Sequence, residues 1–222
     1  GVLNHMGGYI EHMVVSSQTV SHAMAHELRT PLARMRFALS MIDETDDEQK
    51  KLEFREGIDE DLDELESVIS AGLDYFKMQQ KKTDSNLDKV NLNEWANKLC
   101  KSLQLFKPEN FELICKSNDN IALIDTKLAD IVVKNLLLNA FKYATHKTIL
   151  NVYKKDDMVV IEVDDDCTGI PPESRDRIFM PFSRLDTSRT RDTGGYGLGL
   201  AYVKLIAEFH TGSAFVVTSP LG

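Results

Sequence analysis

Apolar residues in the first third of the chain recur every three or four positions, the spacing of one helix face. The first stripe predicts a helix over about residues 8–42. A second stripe, from Ile58 to Phe76, has spacings close to a heptad seam. Residues 43–49 are acidic and carry no periodic apolar residue, so they predict the loop of a hairpin. The stripe residues are Val20, Met24, Leu28, Leu32, Met35, Leu39 and Ile42, then Ile58, Leu62, Leu65, Ile69, Leu73 and Phe76.

One hairpin cannot cover both stripes, because each helix buries only the face that contacts its neighbour. Two hairpins that pair form a four-helix bundle, so the pattern predicts a homodimer. A monomeric hairpin packed against the following part of the chain is the alternative.

Beyond residue 80 the pattern changes. Polar residues 81–89 interrupt the helical spacing and predict a domain boundary. Mixed strand and helix patterns follow, which predict a mixed sheet covered by helices on one face, an α/β sandwich. The whole chain is therefore predicted to be α+β. The predicted strands are 90–92, 111–116, 121–124, 148–154, 158–164 and 213–218, and the predicted helices are 93–106, 126–144 and 197–209.

Composition narrows the class of protein. The 222 residues suffice for two modest domains. The formal charge of −9 is well spread and argues against a nucleic-acid partner. Cys100, Cys115 and Cys167 have no paired spacing, which indicates a reducing compartment and no structural metal. The sequence as given predicts no signal peptide, and no apolar run in it approaches the ~20 residues that span a bilayer. The chain as given is therefore predicted to be cytoplasmic.

A histidine on the first helix has chemically useful neighbours. His26 lies two positions from the nearest stripe residues, about 200° of helix rotation, so it is predicted to face water. Glu27 is adjacent and Thr30 lies one turn later. A carboxylate that holds one imidazole N–H raises the basicity of the other nitrogen, so His26 is a candidate nucleophile. The alternatives are an ordinary surface histidine and a metal site shared with His22.

Three later stretches carry residues suited to a nucleotide. Asn135 and Asn139 share one helix face with Lys142 on the neighbouring turn, and amide oxygens and an ammonium group suit Mg²⁺ and phosphates. Residues 164–171 end a strand with three aspartates, and a carboxylate there can accept an exocyclic amine. Residues 194–200 are glycine-rich and open a helix, which favours phosphate. Each stretch alone is compatible with a polar helix face, a solvated turn or an ordinary glycine loop.

The motifs resemble those of sensor histidine kinases of two-component systems. Residues 25–32, Ala-His-Glu-Leu-Arg-Thr-Pro-Leu, resemble the H-box. The three later stretches resemble, in order, the N, G1 and G2 boxes of the GHKL ATP-binding fold, and residues 179–182 resemble the F-box. Residues 3–13 resemble the end of a HAMP domain. The resemblance covers about residues 3–219, and Pro-Phe-x-Arg-Leu-Asp-x-Ser-Arg at 181–189 is similar to RstB-like sensors.

The resemblance implies roles for individual residues. In that family the histidine accepts the γ-phosphoryl of ATP, the glutamate acts as its base, and the threonine orients water for dephosphorylating a partner. Those roles fall on His26, Glu27 and Thr30. Asn139 is the implied Mg²⁺ ligand and Asp165 the implied acceptor of the adenine amine. The implied nucleotide-binding residues are Asn135, Asn139, Lys142, Tyr143, Asp165, Gly169, Arg189, Gly195, Gly197, Leu198 and Gly199.

The resemblance also implies an organisation and a function. Residues 1–19 end a HAMP domain, 20–82 form the dimerisation and histidine phosphotransfer (DHp) hairpin, and 88–222 bind Mg·ATP, with a further strand beyond Gly222. The kinase phosphorylates its own His26 and passes the phosphoryl group to an aspartate of a response regulator receiver domain, with phosphatase activity toward that regulator. Membrane segments are expected upstream, in a full-length protein of the bacterial inner membrane.

One departure from the family motif leaves an alternative open. Cys167 stands where the Asp-x-Gly-x-Gly motif has its first glycine. Its Cβ and sulfur are expected to weaken nucleotide binding, and a positive φ would strain the backbone. A nucleotide-impaired, phosphatase-biased or scaffold-type sensor is therefore the alternative. A gyrase- or chaperone-type GHKL ATPase is disfavoured, because those carry a glutamate base where this chain has Asn135, and an amide cannot take a proton from water.

Overall fold

The computed structural model describes residues 2–80, 86–108, 112–118, 120–184 and 196–221, with side chains from Val20 onward. The chain divides into two compact units. The first comprises Gly1–Gln80 with Pro181–Ser183, and the second comprises Lys81–Met180 with Arg184–Gly222. Each unit is described by itself.

The first unit is a helical hairpin, as predicted. Helix α1 spans Val2–Glu44 and helix α2 spans Glu48–Gln80. The loop between them is shorter than the acidic run 43–49, because Asp47 caps α2. Its Oδ1 accepts the N–H groups of Gln49 and Lys50 at 3.0 and 3.3 Å, which satisfies two donors of the first turn.

The hairpin buries only part of the two predicted stripes. The buried positions are Val20, Pro31, Met35 and Ala38 on α1 and Asp61, Val68, Gly72 and Tyr75 on α2. Five stripe residues remain 41–54% exposed, namely Leu32, Leu39, Leu62, Ile69 and Leu73. These five residues, called the open apolar face below, are the residues that a single hairpin leaves to water.

An ion pair links the two helices. Asp61 is 3% exposed, and its Oδ1 accepts hydrogen bonds from Arg34 Nε at 2.8 Å and Arg34 Nη2 at 2.6 Å. Arg34 Nη2 also pairs with Glu64 Oε2. The hydrogen bond to Asp61 raises the pKa of Arg34, although burial opposes the shift. The Arg34 guanidinium therefore offsets the negative charge of the Asp61 carboxylate, which is almost inaccessible to water.

Replacing Arg34 with Met is expected to destabilise the hairpin by about 3 kcal/mol. This value is the lower end of the range for breaking a buried ion pair, because Arg34 itself is partly exposed. The free energy of urea-induced unfolding measures the effect. Lys51→Met is the matched control, because it breaks an exposed pair with Glu48 and is expected to leave the free energy of unfolding almost unchanged. Equal losses in the two variants would contradict the role given to Arg34.

The second unit is an α/β sandwich with a mixed three-stranded sheet. The elements are β1 Asp88–Asn91, α3 Leu92–Leu103, β2 Glu112–Ser117, β3 Ile121–Ile124, α4 Thr126–Tyr143, β4 Lys147–Lys155, β5 Met158–Asp165 and α5 Gly199–Phe209. The sheet order is β2-β4-β5, with β2 parallel to β4 and β4 antiparallel to β5, while β1 and β3 form a separate antiparallel pair. Short 3₁₀ turns span Gln104–Phe106, Pro172–Ser174 and Arg177–Phe179.

The core of this unit lies between the sheet and α3 and α4. Apolar residues of the two helices pack against one face of β4 and its neighbours. The buried members are Leu92, Trp95, Ala96 and Leu103 of α3, Val133, Leu137 and Phe141 of α4, Ala122 and Ile124 of β3, and Leu150 and Val152 of β4. The predicted layering, with helices on one face of a mixed sheet, is therefore confirmed.

Two predicted elements differ in the structure. The strand predicted at 213–218 is absent: residues 212–219 form no strand, and Phe215 and Val217 are 72% and 62% exposed. Alternation of side chains is not sufficient, because a strand requires hydrogen bonds from a neighbour, and this segment is not paired with β5. Helix α5 begins at Gly199 rather than Gly197, because the φ of Gly197 is +72°, which an α-helix does not accommodate.

Among the described residues, no helix combines the length and apolar content needed to cross a membrane.

Candidate functional site

The predicted phosphoacceptor region lies on α1. The side chain of His26 is 58% exposed, and its Nδ1 lies 3.5 Å from Oε1 of Glu27. Thr30 is half-buried one turn later. The exposure predicted from periodicity is therefore observed, and the imidazole is accessible to a reacting group. The contact with Glu27 is long for a hydrogen bond, so the carboxylate lies close enough to orient the ring but holds it loosely.

A cavity of about 1920 Å³ opens in the second unit. Its walls include Asn139 of α4, Asp165 at the end of β5, and Cys167 and Gly169 in the loop that follows. It also extends along β5 to the unpaired segment 212–220, which explains why it exceeds the volume of an ordinary ligand pocket. Leu200 of the third nucleotide-type motif also lines it, so the cavity joins residues of all three motifs.

The amides of α4 have different surroundings. Asn139 lines the cavity, and an amide side chain is of the kind that can supply an oxygen to a hard cation. Asn135 Nδ2 donates to the carbonyl of Ile131 at 2.9 Å, and its Oδ1 is directed toward α5. A Cβ on Gly199 would lie 2.8 Å from that oxygen, so only glycine allows the first residue of α5 to approach α4 so closely.

The remaining predicted residues of these motifs lie outside the cavity wall or outside the described residues. Lys142 Nζ lies 4.9 Å from the ring centroid of Tyr143, a cation–π contact, and Tyr143 is exposed. Leu198 is buried and precedes α5 directly. Arg189 and Gly195 fall in the segment 185–195, which the structure does not describe.

The first and third of the three consecutive aspartates accept hydrogen bonds from residues outside their own loop. Asp166 Oδ1 accepts the N–H groups of Thr145 and His146 at 2.7 and 3.2 Å. Although burial raises the pKa of Asp166, the backbone hydrogen bonds prevail and hold it below its usual value. Asp164 accepts Nδ2 of Asn151 at 3.1 Å, and its pKa is raised, chiefly by burial. Asp166 therefore joins the loop before β4 to the end of β5.

The middle aspartate, Asp165, lines the cavity, as does Asp164. Oδ1 of Asp165 accepts the N–H of Cys167 at 3.2 Å, and the N–H of Gly169 donates to Cys167 Sγ at 3.2 Å. The φ of Gly169 is +77°, whereas Cys167 is not among the non-glycine residues with positive φ. The strain considered for Cys167 is therefore absent. Burial, followed by a hydrogen bond to Asp165, raises the pKa of the Cys167 thiol, so it remains protonated at neutral pH.

One residue beside this site was not predicted from the sequence. Thr148 on β4 is fully buried and pairs in register with Asp165. A threonine inside a strand is ordinary, so the pattern of the sequence contains no signal for it. Only the register of β4 against β5 places it next to the cavity.

Two family models match the chain. The His Kinase A (phospho-acceptor) domain matches residues 16–81, and the histidine kinase-, DNA gyrase B- and HSP90-like ATPase matches residues 124–222.

Curated relatives extend over nearly the whole chain. Sensor protein RstB of Escherichia coli (strain K12) is 33% identical over 220 residues, which are 99% of this chain and 50% of that protein. Sensor histidine kinase CpxA of the same strain is 32% identical over 231 residues, which are 99% of this chain and 48% of that protein. The chain thus spans about half the length of these relatives.

Solved structures share the fold. Histidine kinase ThkA in complex with response regulator protein TrrA aligns with a TM-score of 0.72 and 19% identity, over 96% of this chain and 60% of that one. Full-length ShkA in complex with AMPPNP aligns with a TM-score of 0.63 and 21% identity, over 91% and 43%. With both family models in the expected order, the chain belongs to the sensor histidine kinases of two-component systems.

Proposed function

We propose that this chain is the phosphoryl-transfer core of a sensor histidine kinase. ATP bound by residues 88–222 phosphorylates His26 in the DHp hairpin 20–82, and the phosphoryl group then passes to an aspartate of a response regulator receiver domain. The observation that carries this proposal is the combination, in one chain, of an exposed histidine beside a carboxylate and a cavity lined by an amide, a carboxylate and a glycine turn.

The geometry of His26 supports attack by Nε2. Nδ1 faces Glu27, so a proton on Nδ1 is directed to that carboxylate and the lone pair resides on Nε2. Nε2 forms the bond to the γ-phosphorus while the bond to the β-phosphate oxygen breaks and ADP leaves. Glu27 stabilises the imidazolium that forms. Thr30, one turn later, is proposed to orient water when the regulator is dephosphorylated.

The nucleotide is proposed to bind with its base at Asp165 and its phosphates near α4 and α5. Asp165 is proposed to accept the adenine amine, and Asn139 is the proposed Mg²⁺ ligand, because it lines the cavity and amide oxygens suit a hard cation. Mg²⁺ would neutralise phosphate charge and orient the γ-phosphoryl. Further contacts are assigned to Asn135, Lys142, Tyr143, Gly169, Arg189, Gly195, Gly197, Leu198 and Gly199.

The open apolar face supports a homodimer. Its five residues are 41–54% exposed in a single hairpin, and burying them against a second copy would complete a four-helix bundle. Residues 1–19 are proposed to be the end of a HAMP domain, and the full-length protein is proposed to be anchored in the inner membrane by segments upstream of this cytoplasmic part.

A nucleotide-impaired sensor is the second candidate, because the Cys167 side chain contacts the groups that would hold the base. Replacing Cys167 with Gly is expected to raise ATP affinity about 5-fold, since the thiol no longer competes for Asp165, a gain of about 1 kcal/mol. Equilibrium binding of ATP measures the change. Cys167→Ser, which keeps a side chain of similar size, should not gain affinity. A loss of affinity on Cys167→Gly would mean that the thiol contributes to binding.

Transfer of label from ATP tests the main proposal. The chain is incubated with Mg²⁺ and ATP labelled at the γ-phosphate, and a parallel sample receives ATP labelled at the α-phosphate. Label that is incorporated only from the γ-position and is labile in acid but stable in alkali supports a phosphohistidine. Label stable in acid, or no label, would contradict the proposal for this chain.

A further inference from the structure

Thr148 carries a buried hydroxyl group that lacks a hydrogen-bond partner within the ranges of the chain that the structure describes. It is 0% exposed, and its hydroxyl oxygen makes no hydrogen bond to any group in the described part of the chain. Among the described residues, the Thr148 hydroxyl oxygen is the one buried side-chain oxygen or nitrogen that has no hydrogen-bond partner. Burial of an unpaired hydroxyl is unfavourable, so its presence at this position calls for a physical explanation.

The strand register places Thr148 next to Asp165. Thr148 pairs with Asp165 across the β4–β5 ladder and with Leu113 across the β2–β4 ladder. Residues directly opposite on neighbouring strands project from the same face, with Cβ atoms about 4.5–5.5 Å apart in an antiparallel pair. Leu113 packs against the helical core, so this row of the sheet faces the helices. Thr148 and Asp165 therefore lie side by side on the helix-facing side.

Two contacts hold this pair in place. Asp166 accepts the N–H groups of Thr145 and His146, which fastens the start of β4 to the end of β5 and prevents a slip in register. Asp165 Oδ1 accepts the N–H of Cys167, which orients the carboxylate toward the cavity that it lines. The buried hydroxyl is thus fixed beside Asp165, which lines the cavity together with Asp164.

We infer that Thr148 is a positioning residue for adenine recognition, an inference that rests on the proposed binding of ATP at Asp165. Its hydroxyl donates to the Asp165 carboxylate when the nucleotide binds, through one water molecule or by rotation of the carboxylate. A buried donor behind the carboxylate restricts its orientation and leaves an oxygen directed at the amine on C6 of the purine. Thr148 itself does not touch the base, because its hydroxyl is buried.

The purine amine distinguishes this role from a structural one. Thr148→Val keeps the shape and removes the hydroxyl, and Thr148→Ser keeps the hydroxyl. Each variant and the parent chain are titrated with ATP and with purine riboside triphosphate, which lacks the C6 amine. The expected result is that Thr148→Val weakens ATP binding about 3- to 10-fold and leaves the amine-free analogue unchanged, while Thr148→Ser binds ATP within about 2-fold of the parent.

Other outcomes overturn the inference in distinguishable ways. Equal loss of both nucleotides in Thr148→Val would show that the hydroxyl only maintains the fold. Unchanged ATP binding in Thr148→Val would show that the hydroxyl is an unused buried group. If the parent chain binds neither nucleotide, the proposed ATP site itself fails, and the role of Thr148 fails with it.

Discussion

Replacing His26 with Gln abolishes transfer of label from γ-labelled ATP, with a loss of at least about 1000-fold. An amide nitrogen has no available lone pair, so no nucleophile remains at this position to form the bond to phosphorus. His26 is 58% exposed and makes one long contact with Glu27, so Gln at this surface position is expected to leave the stability of the hairpin unchanged. Scintillation counting of the acid-labile label measures the result.

His22→Gln is the matched control for this experiment. His22 is also exposed and lies one turn earlier on the same helix, so it reports whether any surface histidine of α1 can be labelled. The expected result is label close to that of the parent chain. Equal loss in the two variants would contradict a single acceptor at His26 and favour the metal-site interpretation, in which both histidines act together.

Replacing Asp165 with Asn is expected to weaken ATP binding about 100-fold. The adenine amine loses a charged acceptor, and hydrogen bonds to charged groups are worth up to about 3 kcal/mol. The amide of Asn also presents donors that would face the amine. Equilibrium titration with ATP in the presence of Mg²⁺ measures the change, and label transfer to His26 is expected to fall with it at low ATP concentration.

Asp164→Asn provides the comparison, because it makes the same chemical change one position earlier. Asp164 accepts a hydrogen bond from Asn151, so its carboxylate already has a structural partner. Neighbouring residues of a strand project from opposite faces, so Asp164 lies on the other side of the sheet from Asp165. ATP affinity within about 2-fold of the parent is expected for Asp164→Asn. A similar loss in both variants would indicate a general charge effect rather than a specific acceptor.

The motifs that carry candidate catalytic and binding residues can be identified from the sequence, because the residues of each motif lie close together along the chain. The run of residues 25–32 places a histidine, a carboxylate and a threonine within one helical turn, so helix geometry alone fixes their proximity and exposure. The same reasoning gives the order of helices and strands in both units, since hydrophobic period is also local. The backbone conformation of Cys167 cannot be predicted from such a local pattern, because its φ depends on the turn that Asp165 and Gly169 form around it.

The sequence by itself determined the hairpin, the α/β sandwich and the resemblance to histidine kinases, because each rests on short-range periodicity or on contiguous motifs. Tertiary structure decided which stripe residues are buried, since Leu32 and Leu62 fit the helical period yet remain exposed. It also decided that residues 212–219 form no strand, and that Thr148 lies beside Asp165. Those outcomes depend on which elements pair and in what register, and such long-range pairing is set by packing of the whole unit rather than by any local pattern.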